Sequence, residues 1–395
     1  MPSNIELTIL MPCLNEEETL EACIKKARLG IERAGVRGEI LIADNGSKDR
    51  SIEIAERLGA RVVHVKEKGY GNALRYGTQA ALGRWIIMGD SDDSYDFSQI
   101  AGFVAKLKEG YDLVMGCRLP RGGGTIMPGA MPWKNRHLGN PVLSNLGRLF
   151  FHSPAQDFHC GLRGYSRDAF DRMELQTTGM EFASEMVIKA TLKSMRIAET
   201  PITLHKDGRS RPPHLKPWRD GWRHLRFMLI YSPRWLFLMP GLFLGLVGGV
   251  SALGITLAPV TLGQLRFDAG TLMLACMCVI IGFQFVAFAF FTKVFAIAEG
   301  LLPEDPKLAN TLKAFTLEKG IVAGLVLLLL GAALFFQACW IWRAAGYGII
   351  PWSDNLRRII PAATLIVLGI QGIAASFFMS VLGLKTVRRR PPGTH

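Results

Sequence analysis

The sequence predicts an α/β domain with a mostly parallel sheet, followed by an all-α membrane domain of four helices. Strand-like and helix-like patterns alternate through residues 1–212. Long uncharged runs follow, each close to or above the roughly 20 residues that cross a bilayer as a helix. A formal net charge of +13 further indicates contact with anionic partners.

Apolar or β-branched runs predict five strands, and helical patterns separate them. The strands are predicted at 6–13, 39–43, 60–65, 84–89 and 111–116, and the helices at about 16–34, 49–58, 71–82 and 97–109. This alternation indicates a largely parallel sheet with helices on both faces. Ligands of such sheets bind beyond the carboxyl ends of the strands, so the polar residues that follow each strand are considered as one group.

Four apolar runs predict transmembrane helices, at about 235–258, 270–292, 320–342 and 359–384. Lysine and arginine are more frequent before the first run, in the second loop and in the tail than in the first loop. By the positive-inside rule, both termini and the α/β domain are therefore expected in the cytoplasm. A buried helical core is the alternative, but the run Gly320–Trp342 holds no charge and is too long for one.

Two stretches are strongly basic. Residues 118–156 contain no Asp or Glu and are rich in Gly and Pro, which predicts a loop and then a helix near 139–151. Residues 205–234 interleave basic and aromatic side chains, which predicts an amphipathic helix at the membrane surface. Adjacent transmembrane runs favour lipid over nucleic acid as the partner.

The predicted divisions are an α/β domain at 1–212, an interfacial segment at 213–234, a four-helix domain at 235–385 and a basic tail at 386–395.

Four carboxylates follow the apolar run Trp85–Met88 within seven residues. Asp90 and Asp92 could share one Mg²⁺ or Mn²⁺, because such hard cations take carboxylate oxygens and let diphosphate oxygens complete the shell. Asp residues also favour turns and helix caps, and we prefer that explanation for Asp93 and for Asp96, which precedes a predicted helix. For Asp90 and Asp92 taken alone, the two explanations are equally good.

Six motifs occur in a characteristic order: MPCLNEEETL (11–20), ADNGSKDRS (43–51), KGYGNALRYG (68–77), GDSDD (89–93), DFHCGLRGYSRDAF (157–170) and GMEFASEMVIKA (179–190). The first four resemble the family 2 nucleotide-sugar glycosyltransferases of GT-A fold. The last two resemble the polyprenyl-phosphate glycosyltransferases, the group that includes dolichyl-phosphate mannose synthase. The resemblance covers about residues 6–212 and implies a Rossmann-like GT-A domain.

The resemblance assigns residues to the donor side of a site. Asp90 and Asp92 match the DxD pair of the family, which implies that they bind Mg²⁺ or Mn²⁺, with Asp92 as the surest ligand. It implies nucleotide contacts for Pro12, Asn15, Glu16, Asp44, Gly69, Gly71 and Asp90. A helix cap shared with Ser47 is the alternative for Asp44, and an ordinary turn is the alternative for the glycines.

The acceptor side requires groups that bind a phosphate. A guanidinium binds phosphate bidentately, so the candidates are Arg118, Arg136, Arg209 and Arg211. Contact with solvent or with lipid headgroups explains each arginine equally well, but Arg118 is preferred because it directly follows a predicted strand. Asp157 resembles the acidic residue near the acceptor in the family, expected to orient Arg163 or to act as a base. Glu185 is expected to pair with a basic residue.

The predicted activity is transfer of one hexose from a nucleotide sugar to a polyprenyl phosphate, with inversion, a divalent metal, and catalytic roles for Asp92, Asp157 and Arg118. Resemblance to bacterial members of the family with several spans favours UDP-glucose as the donor, with GDP-mannose next. One alternative acceptor is a lipid hydroxyl, as in diacylglycerol or ceramide, which would require Asp157 as a general base. The non-enzymatic alternative is a membrane scaffold or transport subunit with a degenerate transferase domain.

Overall fold

The computed structural model describes residues 5–210, 217–303, 305–306, 316–348 and 351–383. These residues form two compact units, the first ending at Met228 and the second beginning at Leu229. Some predictions lie outside the described residues: the role of Arg211, the segment 213–216 and the basic tail at 386–395.

The first unit alternates strands and helices as the sequence predicts. Its strands are β1 (Leu7–Cys13), β2 (Gly38–Asp44), β3 (Arg61–His64), β4 (Trp85–Met88), β5 (Leu113–Cys117), β6 (Thr125–Ile126), β7 (Arg163–Ser166), β8 (Ile197–Pro201) and β9 (Thr203–Leu204). Its helices are α1 (Leu20–Arg33), α2 (Ser51–Arg57), α3 (Tyr70–Ala80), α4 (Ala101–Lys108), α5 (Asn140–Phe151), α6 (Arg167–Met173), α7 (Glu181–Leu192) and α8 (Pro217–Ile230).

Seven strands form one sheet in the order β3-β2-β1-β4-β7-β5-β8. Its pairs are parallel except for those of β7, which runs antiparallel between β4 and β5. The predicted mostly parallel α/β sheet is therefore confirmed. The five predicted strands correspond to β1–β5, and the sequence does not predict β6–β9. The residues of β7, RGYS, contain neither an apolar run nor an apolar alternation.

The central strands are apolar along their whole length because helices cover both faces of the sheet. Every residue of β4 is buried, and so is every residue of β1 except Pro12, which is partly buried. Helix α1 buries Leu20, Cys23, Ile24 and Ala27, whose spacing of three or four residues forms one apolar stripe. These contacts hold the sheet edge, where the polar residues lie, in a fixed position.

The direction of β7 decides which residues meet at the carboxyl edge of the sheet. Arg163, the first residue of β7, pairs with Met88 at the end of β4 and with Met115 near the end of β5. The amino end of β7 therefore lies at the same edge as the carboxyl ends of the parallel strands. Residues 157–162, which precede β7, consequently lie beside the loops that follow β4 and β5.

The second unit contains four long helices: α9 (Met239–Leu257), α10 (Ala269–Ala298), α11 (Leu317–Ala344) and α12 (Trp352–Gly383). The segments Arg234–Leu257, Ala269–Ala298, Leu317–Ala344 and Ser353–Leu382 are long and apolar enough to cross a membrane. The four predicted spans are therefore confirmed. A short hairpin of β10 (Val260–Leu262) and β11 (Leu265–Phe267) connects α9 to α10, where the sequence predicts only a loop.

Candidate active site

Asp90 and Asp92 lie in the turn after β4, and side chains of the same unit fix both carboxylates. The Tyr70 hydroxyl donates to Oδ1 of Asp90 at 3.0 Å. Oδ1 of Asp92 accepts from the amide and the hydroxyl of Ser94, at 3.0 and 2.6 Å. Oδ2 of Asp92 lies 3.4 Å from a guanidinium nitrogen of Arg209. The two carboxylates are therefore held at the sheet edge before any ligand binds.

This acidic pair is suited to a divalent cation. Burial and the charge of Asp92 raise the pKa of Asp90 to about 6, although the Tyr70 hydrogen bond and the charges of Arg209 and Arg118 oppose the shift. A positive charge shared by the two carboxylates would relieve their repulsion. Among the described residues no group of three His, Cys, Asp or Glu side chains surrounds a metal position. Two carboxylates fit a cation such as Mg²⁺, which takes its other ligands from substrate phosphates and water.

Arg209 lies against two acidic residues, Glu16 and Asp92. Its guanidinium pairs bidentately with Glu16, from Nε to Oε2 at 2.8 Å and from Nη2 to Oε1 at 2.6 Å. A third nitrogen, Nη1, faces Asp92. Burial acts to lower the pKa of Arg209, but the bonds to Glu16 and the charge of Asp92 raise it above its ordinary value. Binding of an acceptor phosphate by Arg209 remains a prediction.

Arg118 and Asp157 form a buried ion pair. Nε and Nη2 of Arg118 donate to the two oxygens of Asp157 at 2.7 and 2.8 Å, and the Arg118 amide donates to Oδ2 at 3.0 Å. The prediction that Asp157 orients Arg163 is wrong. Arg163 instead donates to the main-chain oxygens of Cys160, Phe158 and Ala183. Asp157 meets Arg118 because the segment before β7 and the end of β5 share one edge of the sheet.

Asp157 is held in its ionised form. Burial favours the neutral acid, but the charge and hydrogen bonds of Arg118 outweigh burial and keep the pKa of Asp157 below its usual range. A carboxylate with a lowered pKa is a weak proton acceptor, which favours a positioning role for Asp157 over a role as base. Arg118 uses Nε and Nη2 on this pair, and its Nη1 makes no hydrogen bond within the described part of the chain.

Pro12 lies near the end of β1, and Asn15 and Glu16 follow that strand. Together they connect β1 to the neighbouring loops. The Pro12 carbonyl accepts from the Ser91 hydroxyl at 2.7 Å, which joins this loop to the turn that holds Asp90 and Asp92. Oδ1 of Asn15 accepts from the amide of Lys48 at 2.7 Å. The predicted nucleotide-side loops therefore form one connected edge. Their contact with a nucleotide remains a prediction.

Asp44, at the end of β2, closes a turn of its own loop. Its two oxygens accept from the amides of Gly46 and Ser47, at 3.1 and 2.9 Å. Helix α2 begins only at Ser51, so the bonds belong to a turn and not to the helix cap considered above. Burial acts to raise the pKa of Asp44, but these hydrogen bonds lower it below its ordinary value. Asp44 therefore remains a charged acceptor at the edge.

Gly69 and Gly71 admit a close approach of the chain's own backbone. A Cβ added to Gly69 would lie 2.3 Å from the carbonyl oxygen of Thr178, and one added to Gly71 would lie 2.7 Å from that of Thr177. The Gly71 amide donates to the Thr178 carbonyl at 2.9 Å. Packing of the loop that contains Thr177 and Thr178 thus requires both glycines. The predicted approach to a nucleotide is not needed to explain them.

Two other acidic residues, Glu185 and Asp96, have the kind of structural partner that the sequence predicts. Asp93, for which the sequence predicts a turn or a cap, pairs its side chain with a lysine. The pairs are Glu185 with Lys189 at 2.9 Å, Asp96 with the Ser98 amide at 3.0 Å, and Asp93 with Lys26 at 2.7 Å.

Two parts of the site depart from the sequence-based expectation. Arg136 lies in the helical turn Asn135–Gly139 before α5. Within the described residues it makes no hydrogen bond or ion pair with the other candidate arginines or carboxylates, so the structure does not bring it to the cluster. Tyr70, by contrast, bonds to Asp90. The motif KGYGNALRYG contains this tyrosine. Its glycines indicate a nucleotide-binding loop, and no pattern within the motif indicates that the Tyr70 hydroxyl donates to Asp90.

Comparisons with known proteins identify the family. The model for glycosyl transferase family 2 matches residues 8–173, and the model for the C-terminal transmembrane region of that family matches residues 290–383. The low-salt glycan biosynthesis hexosyltransferase Agl6 of Haloferax volcanii is 36% identical over 379 residues, which are 95% of this chain and 89% of Agl6. A dolichyl-phosphate hexose transferase of the same organism is 30% identical over 218 residues, 55% of this chain and 89% of that protein.

Among solved structures, the chain is similar to glucosyl-3-phosphoglycerate synthase from Mycobacterium tuberculosis, in complex with Mn²⁺, UDP and glucosyl-3-phosphoglycerate. It aligns with a TM-score of 0.44 and 21% identity over 57% of this chain and 78% of that one. The family assignment rests on the two family models and on the full-length relative. The chain is therefore a membrane glycosyltransferase of family 2 and carries the C-terminal transmembrane region of that family.

Proposed function

We propose that the enzyme transfers one hexose from a nucleotide sugar to a polyprenyl phosphate, at the cytoplasmic face of the membrane and with inversion at the anomeric carbon. The observation that carries this proposal is the arrangement of charge at one sheet edge. The acidic pair of Asp90 and Asp92 lies close enough to Arg118 for the guanidinium charge to oppose the rise in the pKa of Asp90 that burial and Asp92 cause. A seat for a cation beside a phosphate-binding arginine suits a diphosphate donor and a phosphate acceptor.

The relatives support the two substrate classes. Agl6 is named a hexosyltransferase, and the shorter relative is named a dolichyl-phosphate hexose transferase. A hexose and a polyprenyl phosphate are therefore the donor group and the acceptor that we favour here. UDP-glucose is the preferred donor and GDP-mannose the second. The distribution of Lys and Arg around the spans supports a cytoplasmic location for the site and for both termini.

On the donor side, Mg²⁺ or Mn²⁺ held by Asp90 and Asp92 would neutralise the leaving diphosphate. Tyr70 and Ser94 hold the two carboxylates in the required orientation. The loop residues Pro12, Asn15, Glu16, Asp44, Gly69 and Gly71 are the proposed contacts for the nucleotide. The bond from the anomeric carbon to the diphosphate oxygen breaks, and the nucleoside diphosphate leaves.

On the acceptor side, an oxygen of the polyprenyl phosphate forms the new bond to the anomeric carbon. This oxygen is already anionic at neutral pH, so no strong base is required. Arg118 would bind the phosphate through Nη1, while Asp157 holds the guanidinium in place through its other nitrogens. A lipid hydroxyl would instead require a base, and the lowered pKa of Asp157 disfavours that acceptor. Membership of a transferase family disfavours the scaffold.

Arg209→Gln is expected to strengthen Mn²⁺ binding in the absence of nucleotide. The guanidinium charge competes with a cation for Asp92, 3.4 Å away, so its removal should lower the Kd for Mn²⁺ about fivefold. Electron paramagnetic resonance of free Mn²⁺ measures this directly. Arg172→Gln is the matched control, because Arg172 pairs with Asp112, which precedes β5 and so lies at the opposite edge. An unchanged or weakened affinity in Arg209→Gln would refute the competition.

A panel of nucleotide sugars tests the proposed function. The purified full-length enzyme is incubated with Mg²⁺, undecaprenyl phosphate and one nucleotide sugar at a time. The mass of the lipid product is then measured by mass spectrometry. We expect the acceptor mass to increase by one anhydrohexose unit with UDP-glucose or, failing that, with GDP-mannose. An unmodified acceptor with every nucleotide hexose would refute the proposal.

A further inference from the structure

The segment between α5 and β7 presents the Asp157 carboxylate to Arg118. Residues 152–162 belong to neither a helix nor a strand, so regular secondary structure does not satisfy their amides. Asp157 itself is fully buried. A buried amide needs a hydrogen-bond acceptor, and in such a segment side chains have to supply it. The partners of these amides therefore determine where the Asp157 carboxylate lies.

Glu199 accepts hydrogen bonds from two successive amides of this segment. Its Oε1 lies 2.7 Å from the Gln156 nitrogen and 2.9 Å from the Asp157 nitrogen. Asp157 is thus held at two points, through its amide by Glu199 and through its carboxylate by Arg118.

Strand pairing fixes Glu199 and Arg118 relative to each other. Glu199 lies in β8, which pairs in parallel with β5 and places Glu199 beside Met115. Arg118 directly follows β5. Two adjacent strands therefore carry both partners of Asp157, and the aspartate bridges them. A change at Glu199 should consequently be felt at the Arg118 guanidinium.

Other side chains hold the later part of the segment. The Ser144 hydroxyl accepts from the Phe158 amide at 3.3 Å, and the Tyr95 hydroxyl accepts from the Gly161 amide at 2.8 Å. These bonds attach the end of the segment to α5 and to the residues that follow β4. Loss of Glu199 would therefore loosen the start of the segment, which contains the aspartate, while its end stays attached.

Glu199 contributes an acceptor oxygen and not a favourable charge. Burial is the main cause that raises the pKa of Glu199, and the charge of Asp157 raises it further, although the two amide bonds and the charge of Arg121 oppose the shift. The negative charge of Glu199 is thus unfavourable beside Asp157. An uncharged carboxamide oxygen can accept the same two hydrogen bonds.

We propose that Glu199 is a positioning residue for the acceptor phosphate. By fixing the main chain of Asp157, it fixes the Arg118 guanidinium with Nε and Nη2 on the carboxylate, and Nη1 is left for the phosphate. This inference rests on the proposed function, in which Arg118 binds the phosphate of the lipid. Glu199 acts through Asp157 and Arg118, and the proposal gives it no contact of its own with the phosphate.

Glu199→Ala is expected to raise the KM for undecaprenyl phosphate about tenfold and to leave the KM for the nucleotide sugar within about twofold of the wild-type value. The two amides lose their acceptor, so Asp157 and the guanidinium are held less accurately. Steady-state rates of the full-length enzyme, with one substrate varied at a time, measure both constants. A purely structural role would lower kcat through loss of active enzyme and leave both KM values unchanged, and that result would overturn the inference.

Two conservative variants distinguish the acceptor oxygen of Glu199 from its charge. Glu199→Gln keeps the length and the oxygen, and should keep the wild-type KM for undecaprenyl phosphate. Glu199→Asp keeps the charge but is one methylene shorter, so it should raise this KM severalfold. An impaired Gln variant or a normal Asp variant would overturn the inference. This pair decides the matter if thermal unfolding shows that Glu199→Ala does not fold.

Glu39→Ala is the matched control. The Glu39 carboxylate also accepts from a main-chain amide, that of Leu82 at 2.7 Å, but it lies at the start of β2 and so at the opposite edge of the sheet. The variant should lower Tm and leave both KM values unchanged. An equal rise in the KM for undecaprenyl phosphate would mean that general loosening of the sheet causes the effect, and it would refute a specific role for Glu199.

The wild-type enzyme separates this proposal from the proposed function. If it forms the lipid product and Glu199→Ala keeps its KM for undecaprenyl phosphate, the positioning role fails and the function stands. If the wild-type enzyme modifies no polyprenyl phosphate with any nucleotide hexose, the proposed function fails, and the role of Glu199 fails with it.

Discussion

Asp92→Ala is expected to lower the rate of glycosyl transfer about a thousandfold, because loss of the cation removes several kcal/mol of charge stabilisation from the transition state. The fold should persist. Among the described residues, the Asp92 carboxylate accepts hydrogen bonds from Ser94 of its own turn, and the Arg209 guanidinium that it pairs with is also held by Glu16. Initial rates with radiolabelled nucleotide sugar measure the loss, and thermal unfolding checks the structure.

Asp93→Ala is the matched control for this variant. Asp93 is the next residue, but its carboxylate pairs with Lys26 at 2.7 Å and not with the residues that hold the Asp90 and Asp92 carboxylates in the described part of the chain. Its removal should change the rate by less than about threefold, in line with the small contribution of a partly exposed ion pair. Turnover of Asp92→Ala near that of Asp93→Ala would refute the metal assignment.

Arg118→Ala is expected to decrease the free energy of unfolding of the catalytic unit by about 3–5 kcal/mol, because it leaves the Asp157 carboxylate buried without its partner. For a unit of this size, this corresponds to a decrease in Tm of about 10 °C. Transfer should also be lost, since the proposed phosphate ligand is gone. Differential scanning fluorimetry and rate measurements test the two effects separately.

The decrease in the free energy of unfolding caused by Arg118→Ala should depend on pH. In the wild type Asp157 has a lowered pKa, so the stability it contributes is present above the ordinary pKa of an aspartate and is lost only as pH falls through the lowered value. Without Arg118, burial raises the pKa of Asp157, and protonation at low pH relieves its cost. The decrease in stability should therefore be larger at pH 8 than at pH 5.

Two further variants separate structure from catalysis. Arg121→Ala removes an exposed arginine from the same loop, which bonds to Asn145 and to the Gln156 carbonyl, and should cost less than about 1 kcal/mol. The double variant Arg118→Met with Asp157→Leu replaces the pair by apolar groups and should recover stability without recovering transfer. Recovery of transfer in the double variant would contradict the role of Arg118.

The sequence predicts the parallel part of the fold because apolar runs such as Trp85–Met88 record strands buried on both faces. A search for apolar runs does not find β7, because this strand contains the polar residues Arg163 and Ser166. Its strand conformation depends on pairing with the neighbouring strands β4 and β5. Parallel topology also explains why the sequence predicts that Asp90, Asp92 and Arg118 lie close together, since all three belong to the segments that follow the carboxyl ends of β4 and β5.

Partners that depend on the antiparallel strand could not be predicted in this way. Asp157 faces Arg118 and not Arg163 because β7 inserts between β4 and β5 and brings its preceding segment to the end of β5. Gly69 and Gly71 likewise accommodate Thr178 and Thr177, which lie more than a hundred positions further along the chain. Such contacts follow from the order of strands in the sheet, which local sequence patterns do not contain.

The linkage in the lipid product tests the central claim most directly. The product formed from undecaprenyl phosphate and the preferred nucleotide hexose is divided, and one half is exposed to mild acid before mass spectrometry. A glycosyl phosphate should lose its hexose under these conditions and return the free lipid phosphate. An acid-stable product, or hexose transfer to a lipid hydroxyl in preference to the polyprenyl phosphate, would contradict the proposed reaction.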